Sequence, residues 1–277
     1  MGEATQKPTR FWGLDLAGLG GRNNTGLAMI ETRSTVEEQM VVTVFEKHPF
    51  SHAFKGTDRW DNEQIHELIV CLQRWTDGEN HLYVDIPIDL QGLPRVRNPL
   101  FVWQTKLRVV DYVFRGLPPF ATFIGSQTAD FHYLSVQADV LGRLGTSLFE
   151  TYPKATIESG VRSDVPYKGK NATAKDRFEI QRLLGISNPS EKLNDDEIDA
   201  IICVLPGVGR PHSLTENDLT HRWNRLLNER TDVRTIRTER PCFFTPPAGY
   251  RVLPGDDKWR APKLSLEKRE WSNCEIV

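Results

Sequence analysis

Phe11-Trp12-Gly13-Leu14-Asp15-Leu16-Ala17-Gly18 is an apolar run with a single carboxylate near its end. Desolvating an unpaired carboxylate inside a strand is costly, so Asp15 calls for a cation. The residues that follow, Gly18-Leu19-Gly20-Gly21-Arg22-Asn23-Asn24, are turn-forming. Residues 25–31 again read as a strand, and the simplest local structure is a hairpin. A second role stays open for Asp15, that of a strand-end residue capping the glycine loop.

Outward from this hairpin, Met40-Val41-Val42-Thr43-Val44-Phe45 is β-branched and apolar, which favours a third strand and an antiparallel meander. Ile65, Leu68, Ile69 and Leu72 recur with helical spacing behind a candidate N-cap at Asp61, predicting a helix over 61–77. His81-Leu82-Tyr83-Val84-Asp85-Ile86-Pro87 is another apolar strand closing on an acid, and Pro87 stops it. The same form recurs in Ser147-Leu148-Phe149-Glu150-Thr151-Tyr152-Pro153, after a predicted helix at 128–142. Further helices are expected at 173–184, ended by Gly185, and from Asn194 to Leu205, ended by Pro206 and Gly207. On the second of these, Ile198, Ile201, Ile202 and Leu205 form a buried face, with Asp196, Asp199 and Cys203 on a neighbouring stripe. A helix at 216–228 begins a tail rich in Arg, Pro and isolated aromatics, which reads as an extension. The division is a domain over 10–207 and a C-terminal extension over 208–277 packed on it.

With 277 residues, 39% hydrophobic and 26% charged, the chain is ordinary globular material able to bury a full core. A net charge of −2 gives no global field toward nucleic acid or anionic membrane, so such contacts must be local. No run approaches a membrane span and residues 1–10 lack a signal-peptide core, so a cytoplasmic location and no membrane partner are expected. The cysteines, Cys71, Cys203, Cys242 and Cys274, lack metal or redox spacing and read as unpaired thiols. Between Gln91 and Pro119 the local net charge is +4, with Arg95 and Arg97 near its start and aromatics interleaved. Two readings fit that segment: a substrate-facing insertion where bases stack and phosphates meet Arg and Lys, or a solvated basic face over half-buried aromatics.

Acids at strand ends and a pair at i and i+3 on a helix make an oxygen-rich set suited to Mg²⁺ or Mn²⁺. Two such ions can activate water and stabilise a leaving oxygen in phosphodiester hydrolysis. For Asp195, Asp196 and Glu197 a local reading also stands, since acids in a first helical turn meet the helix dipole favourably. Asp199 lies beyond those capping positions, among isoleucines.

Gly13-Leu14-Asp15-Leu16-Ala17-Gly18, Val84-Asp85-Ile86-Pro87, Glu150-Thr151-Tyr152-Pro153 and Asp195-Asp196-Glu197-Ile198-Asp199-Ala200, in that order, resemble the motifs of domain-of-unknown-function family 429. Its members are predicted nucleases of the ribonuclease H-like superfamily, and the resemblance spans residues 11–205. It implies an α/β fold: a mixed five-stranded sheet of three antiparallel strands followed by βα units, with helices on both faces. It also implies metal ligation by Asp15, Asp85 and Asp199, with Asp196 as a fourth ligand because the terminal Asp-x-x-Asp is similar to that of Holliday-junction resolvases. Glu150 is retained from a Glu-x-His-Pro motif in which Tyr152 replaces the His. Lys168 and Arg177 stand where the family places basic residues, as phosphate contacts; surface solvation is the alternative for both.

The implied function is Mg²⁺- or Mn²⁺-dependent hydrolysis of DNA or RNA through Asp15, Asp85, Glu150, Asp196 and Asp199, with Arg95, Arg97, Lys168 and Arg177 toward the substrate. Two other readings use the same fold. A phosphoryl-transfer protein related to the actin and sugar-kinase ATPases would need a second such domain. A non-catalytic module would bind a nucleic acid or protein through the Arg95 region.

Overall fold

The computed structural model describes residues 9–15, 25–32, 40–48, 79–85, 96–97, 104–105, 147–151, 153–157, 161, 163–208, 212–213, 237–238, 251–252 and 260–271. In chain order the strands are β1 (Thr9–Asp15), β2 (Gly26–Thr32), β3 (Met40–Glu46), β4 (Glu79–Val84), β5 (Val96–Arg97), β6 (Gln104–Thr105), β7 (Ser147–Glu150), β8 (His212–Ser213), β9 (Arg237–Thr238), β10 (Arg251–Val252) and β11 (Leu264–Glu270). The helices are α1 (Pro153–Thr156), α2 (Ala174–Leu183) and α3 (Asp195–Val208). No described helix is long and apolar enough to cross a membrane. The helices expected at 61–77, 128–142 and 216–228, and with them the expectation of helices on both faces, fall outside the described residues, as does the 18–24 turn.

The main sheet is mixed, with the order β11-β3-β2-β1-β4-β7. Strands β1, β2 and β3 form the expected antiparallel meander, in register through Asp15 with Gly26 and Ala28 with Val44. Strands β4 and β7 then add parallel to β1, so the carboxyl ends of β1, β4 and β7 share one end of the sheet. Period-2 alternation sets Phe11, Gly13, Ala28, Ile30, Val42, Val44 and Tyr83 on one face and Trp12, Leu14, Leu27, Met29, Leu82 and Val84 on the other. All of the second group are buried, so neither face is a solvent surface. Trp12 stacks on Phe45, and Trp271 meets Phe45 edge-on at 5.3 Å.

The sheet has six strands where five were expected. The sixth, β11, comes from the segment read as an extension and lies parallel to β3, with Leu264 fully buried. The first part of its outer edge is covered: Leu264 N–H donates to Gly185 O, Ser187 N–H donates to Leu264 O, and the Asn188 amide brackets Leu266. Gly185 makes this turn with φ +92, in the left-handed region that glycine adopts without strain.

On the Gly13 face lies α3, packed on β1, β2 and β4. Asn194 caps it: Glu197 N–H donates to Asn194 Oδ1 and Asn194 N–H donates to Glu197 Oε2, both at 2.9 Å. From Glu197 to Pro206 every residue is buried, so the expected single apolar face becomes burial all round. Each fully buried Ile or Leu there contributes about 1.5–3 kcal/mol. The helix also continues through Pro206 and Gly207 to Val208 instead of ending at them. Pro206 forgoes one backbone hydrogen bond, and Gly207 lets the rings of Phe11 and Tyr83 approach to 2.6 Å from where a Cβ would stand.

Candidate functional site

Two glycines determine how close α3 comes to the sheet. A Cβ on Gly13 would lie 2.0 Å from Ala200 O, and one on Gly26 would lie 2.0 Å from Asp196 O. Gly26 pairs with Asp15 at the carboxyl end of β1, while Gly207 lies over Phe11 near the other end. The helix therefore runs against β1 with its first turns above the carboxyl ends of the parallel strands, where open α/β sheets place their sites.

Asp15 is the last residue of β1, and Asp85 directly follows β4. Leu14 is in register with Val84, and Asp85 N–H donates to Leu14 O at 3.1 Å, so the two acids leave adjacent strands side by side, about one strand spacing of 4.8 Å apart. Both are half-buried. Asp199 on α3 is fully buried. Its Oδ1 accepts from the Tyr167 hydroxyl at 2.7 Å, and the Lys168 ammonium lies against its Oδ2 as an ion pair. Cys203, one helical turn on, is a free buried thiol. Burial first, then the negative charges of Asp85 and Asp15, push its pKa well up, while Lys168 works against the rise.

The other expected residues separate into distinct settings. Asp196 stands half-buried in the first turn of α3, its carbonyl over Gly26. Glu150 is buried but in register with Val84, on the sheet face opposite Gly13 and Tyr83. Arg177 on α2 donates to Asp195 Oδ1 at 2.7 Å, and Gly169 N–H donates to Asp195 Oδ2, so Arg177 is tied into the scaffold. Arg97 lies in β5, within a separate three-stranded sheet of order β6-β5-β9. Arg95 and Tyr152 lie outside the described residues.

Neither Tyr167 nor Thr151 is marked by the sequence as a site residue. Thr151 follows Glu150, and its N–H donates to Val84 O at 3.0 Å, which sets it level with Asp85. Its hydroxyl is buried and makes no hydrogen bond. A Thr after a strand and a Tyr beside a Lys carry no spacing signal, so only the folded arrangement singles them out.

A hard divalent cation suits this donor chemistry. Asp15, Asp85 and Asp199 supply carboxylate donors at this end of the sheet, and the buried Thr151 hydroxyl, level with Asp85, makes no hydrogen bond. As the side chains stand, no group of three or more His, Cys, Asp or Glu among the described residues is spaced as the shell of one ion. The positive charge on Asp199 is supplied by Lys168. No protein-family model, curated protein or solved structure matches this chain.

Proposed function

We propose that this chain is a divalent-metal-dependent hydrolase of nucleic-acid phosphodiester bonds on a ribonuclease H-like fold, as its resemblance to domain-of-unknown-function family 429 implies. The observation that carries the reading is that Asp15 and Asp85 leave adjacent strands side by side at the sheet end on which the first turns of α3, bearing Asp196 and Asp199, are seated. The order β3-β2-β1-β4-β7, antiparallel then parallel, supports it further. Asp15, Asp85 and Asp199, with Asp196 at the helix start, would hold Mg²⁺ or Mn²⁺. The bound metal would supply an activated water and charge stabilisation at the leaving oxygen.

The chain's own residues do the rest. Tyr167 holds Asp199 Oδ1 and so fixes the plane of the carboxylate. The half-exposed Lys168 and exposed Lys170, on the loop beside α3, offer ammonium groups to a phosphate. Arg177, paired with Asp195, anchors that loop instead of reaching the substrate. With a net charge of −2, a small or structured nucleic acid is a better substrate than bulk duplex. In the test, Asp15→Asn abolishes Mg²⁺- or Mn²⁺-dependent cleavage of labelled DNA and RNA while circular dichroism and thermal unfolding match the wild type. Cleavage that persists in purified Asp15→Asn overturns the assignment.

A further inference from the structure

The acid most deeply buried at this site already holds a cation from its own chain. Asp195 and Asp199 stand at i and i+4 on one side of α3, and the loop that carries Lys168 is tied to both. Gly169 N–H donates to Asp195 Oδ2 at 3.2 Å, and the Tyr167 hydroxyl donates to Asp199 Oδ1 at 2.7 Å. Arg177 secures Asp195 from the other side. Held at both neighbours, with Gly169 at φ +80 making the turn, residue 168 is directed onto α3, and its ammonium meets the remaining Asp199 oxygen. Asp199 is fully buried while the Lys168 side chain is 49% exposed, so the ammonium has a path into solvent and the carboxylate does not.

From this geometry we infer that Lys168 is the built-in counter-cation of Asp199: it neutralises the carboxylate in the metal-free protein and is displaced when a divalent ion binds. Lys168 is therefore a positioning residue that sets the threshold for metal loading, and the inference rests on the metal-site reading above. A buried carboxylate stripped of its cation is strongly unfavourable, so the ammonium and the metal hold one position alternately. If metal-competent molecules, with Lys168 withdrawn, are about a tenth of the population, apparent metal affinity falls about tenfold.

Isothermal calorimetry with MnCl₂ on the full chain tests this, comparing wild type, Lys168→Met and Lys168→Met/Asp199→Asn. Lys168→Met should bind Mn²⁺ about tenfold more tightly than wild type, and the double variant should lose that gain. In chelator, thermal unfolding should show Lys168→Met less stable than wild type, with the loss absent when Asp199 is already Asn. Wild type binding Mn²⁺ with no gain in Lys168→Met overturns this inference and leaves the metal reading intact. No Mn²⁺ binding by wild type or by Lys168→Met overturns both. Should Lys168→Met fold poorly, Lys168→Gln supplies the same neutral side chain for the titration.

Discussion

Gly13→Ala adds one methyl group where the site is assembled. Its Cβ would stand 2.0 Å from Ala200 O, 3.0 Å from Val204 N and 3.1 Å from Ala200 C. Contacts under 3.0 Å are essentially unknown for real Cβ atoms, so strand or helix must yield by about 1 Å. All three obstacles are backbone atoms of a helix buried on every side, and no flexible side chain can turn away. In an unobstructed strand the same change stabilises by about 0.4–1 kcal/mol, because alanine has less freedom to lose than glycine. Overpacking a well-filled core costs about 1–3 kcal/mol, and a rigid backbone obstacle belongs at the upper end. The net expectation is a loss of about 2–3 kcal/mol in urea unfolding with an unchanged slope. Displacement of this size lifts Asp199 from the ends of β1 and β4, and under the nuclease reading turnover falls about 100-fold. A Gly13→Ala protein as stable as wild type, or more so, refutes the close seating of α3 and the site geometry built on it.

Lys268 on β11 ties the sixth strand to the end of β3 through Glu46 at 2.8 Å and to the start of α3 through Glu197 at 2.9 Å. Burial alone would lower the Lys268 pKa, but the two carboxylates together raise it, and Lys268 in turn lowers that of Glu46. Lys268→Met should cost about 1–2 kcal/mol in chemical unfolding, reduced from a fully buried pair because Glu46 is part-exposed. The deficit should be fullest between the ordinary values of 4.5 for Glu and 10.5 for Lys. It narrows as falling pH passes the lowered Glu46 pKa, and again as rising pH passes the raised Lys268 pKa; a deficit independent of pH would contradict the ion-pair account. Cys203, with its thiol pKa pushed up by burial and the nearby acids, should resist alkylation in the native protein at pH 8 and react after denaturation. Peptide mapping by mass spectrometry reads this directly, and rapid native labelling of Cys203 would contradict its placement.

Much of the strand framework was legible because β-branched runs and hairpin punctuation act locally. Strands at 9–15, 26–32, 40–46, 79–84 and 147–150 stand where apolar runs predict them, but β4 and β7 stop at Val84 and Glu150, short of Pro87 and Pro153, and Pro153 opens α1. The helix before Gly185 was equally legible, since Thr173 and Asp176 form a reciprocal capping box at its start. Leu264-Ser265-Leu266-Glu267-Lys268-Arg269-Glu270 was not. Four consecutive charges conceal its period of two, and they are tolerated because the strand lies at an edge with Lys268 paired inward. The continuation of α3 past Pro206 was hidden too, because a local breaker signal yields to packing against Phe11 and Tyr83.

By itself the sequence determined where the acids stand: Asp15, Asp85 and Glu150 toward the ends of strands, and Asp196 and Asp199 on one helix. These are properties of short segments, set by periodicity and by residues that stop a strand or start a helix. Only the tertiary structure decided which acids meet. Strand register sets Asp15 beside Asp85 and turns Glu150 to the other face. Gly13 and Gly26 let α3 close on the sheet over that end. The loop folded onto α3 brings Tyr167 and Lys168, rather than Arg177, to Asp199. Side-chain partners across 18 to 32 positions depend on how whole elements pack, and no local pattern encodes that.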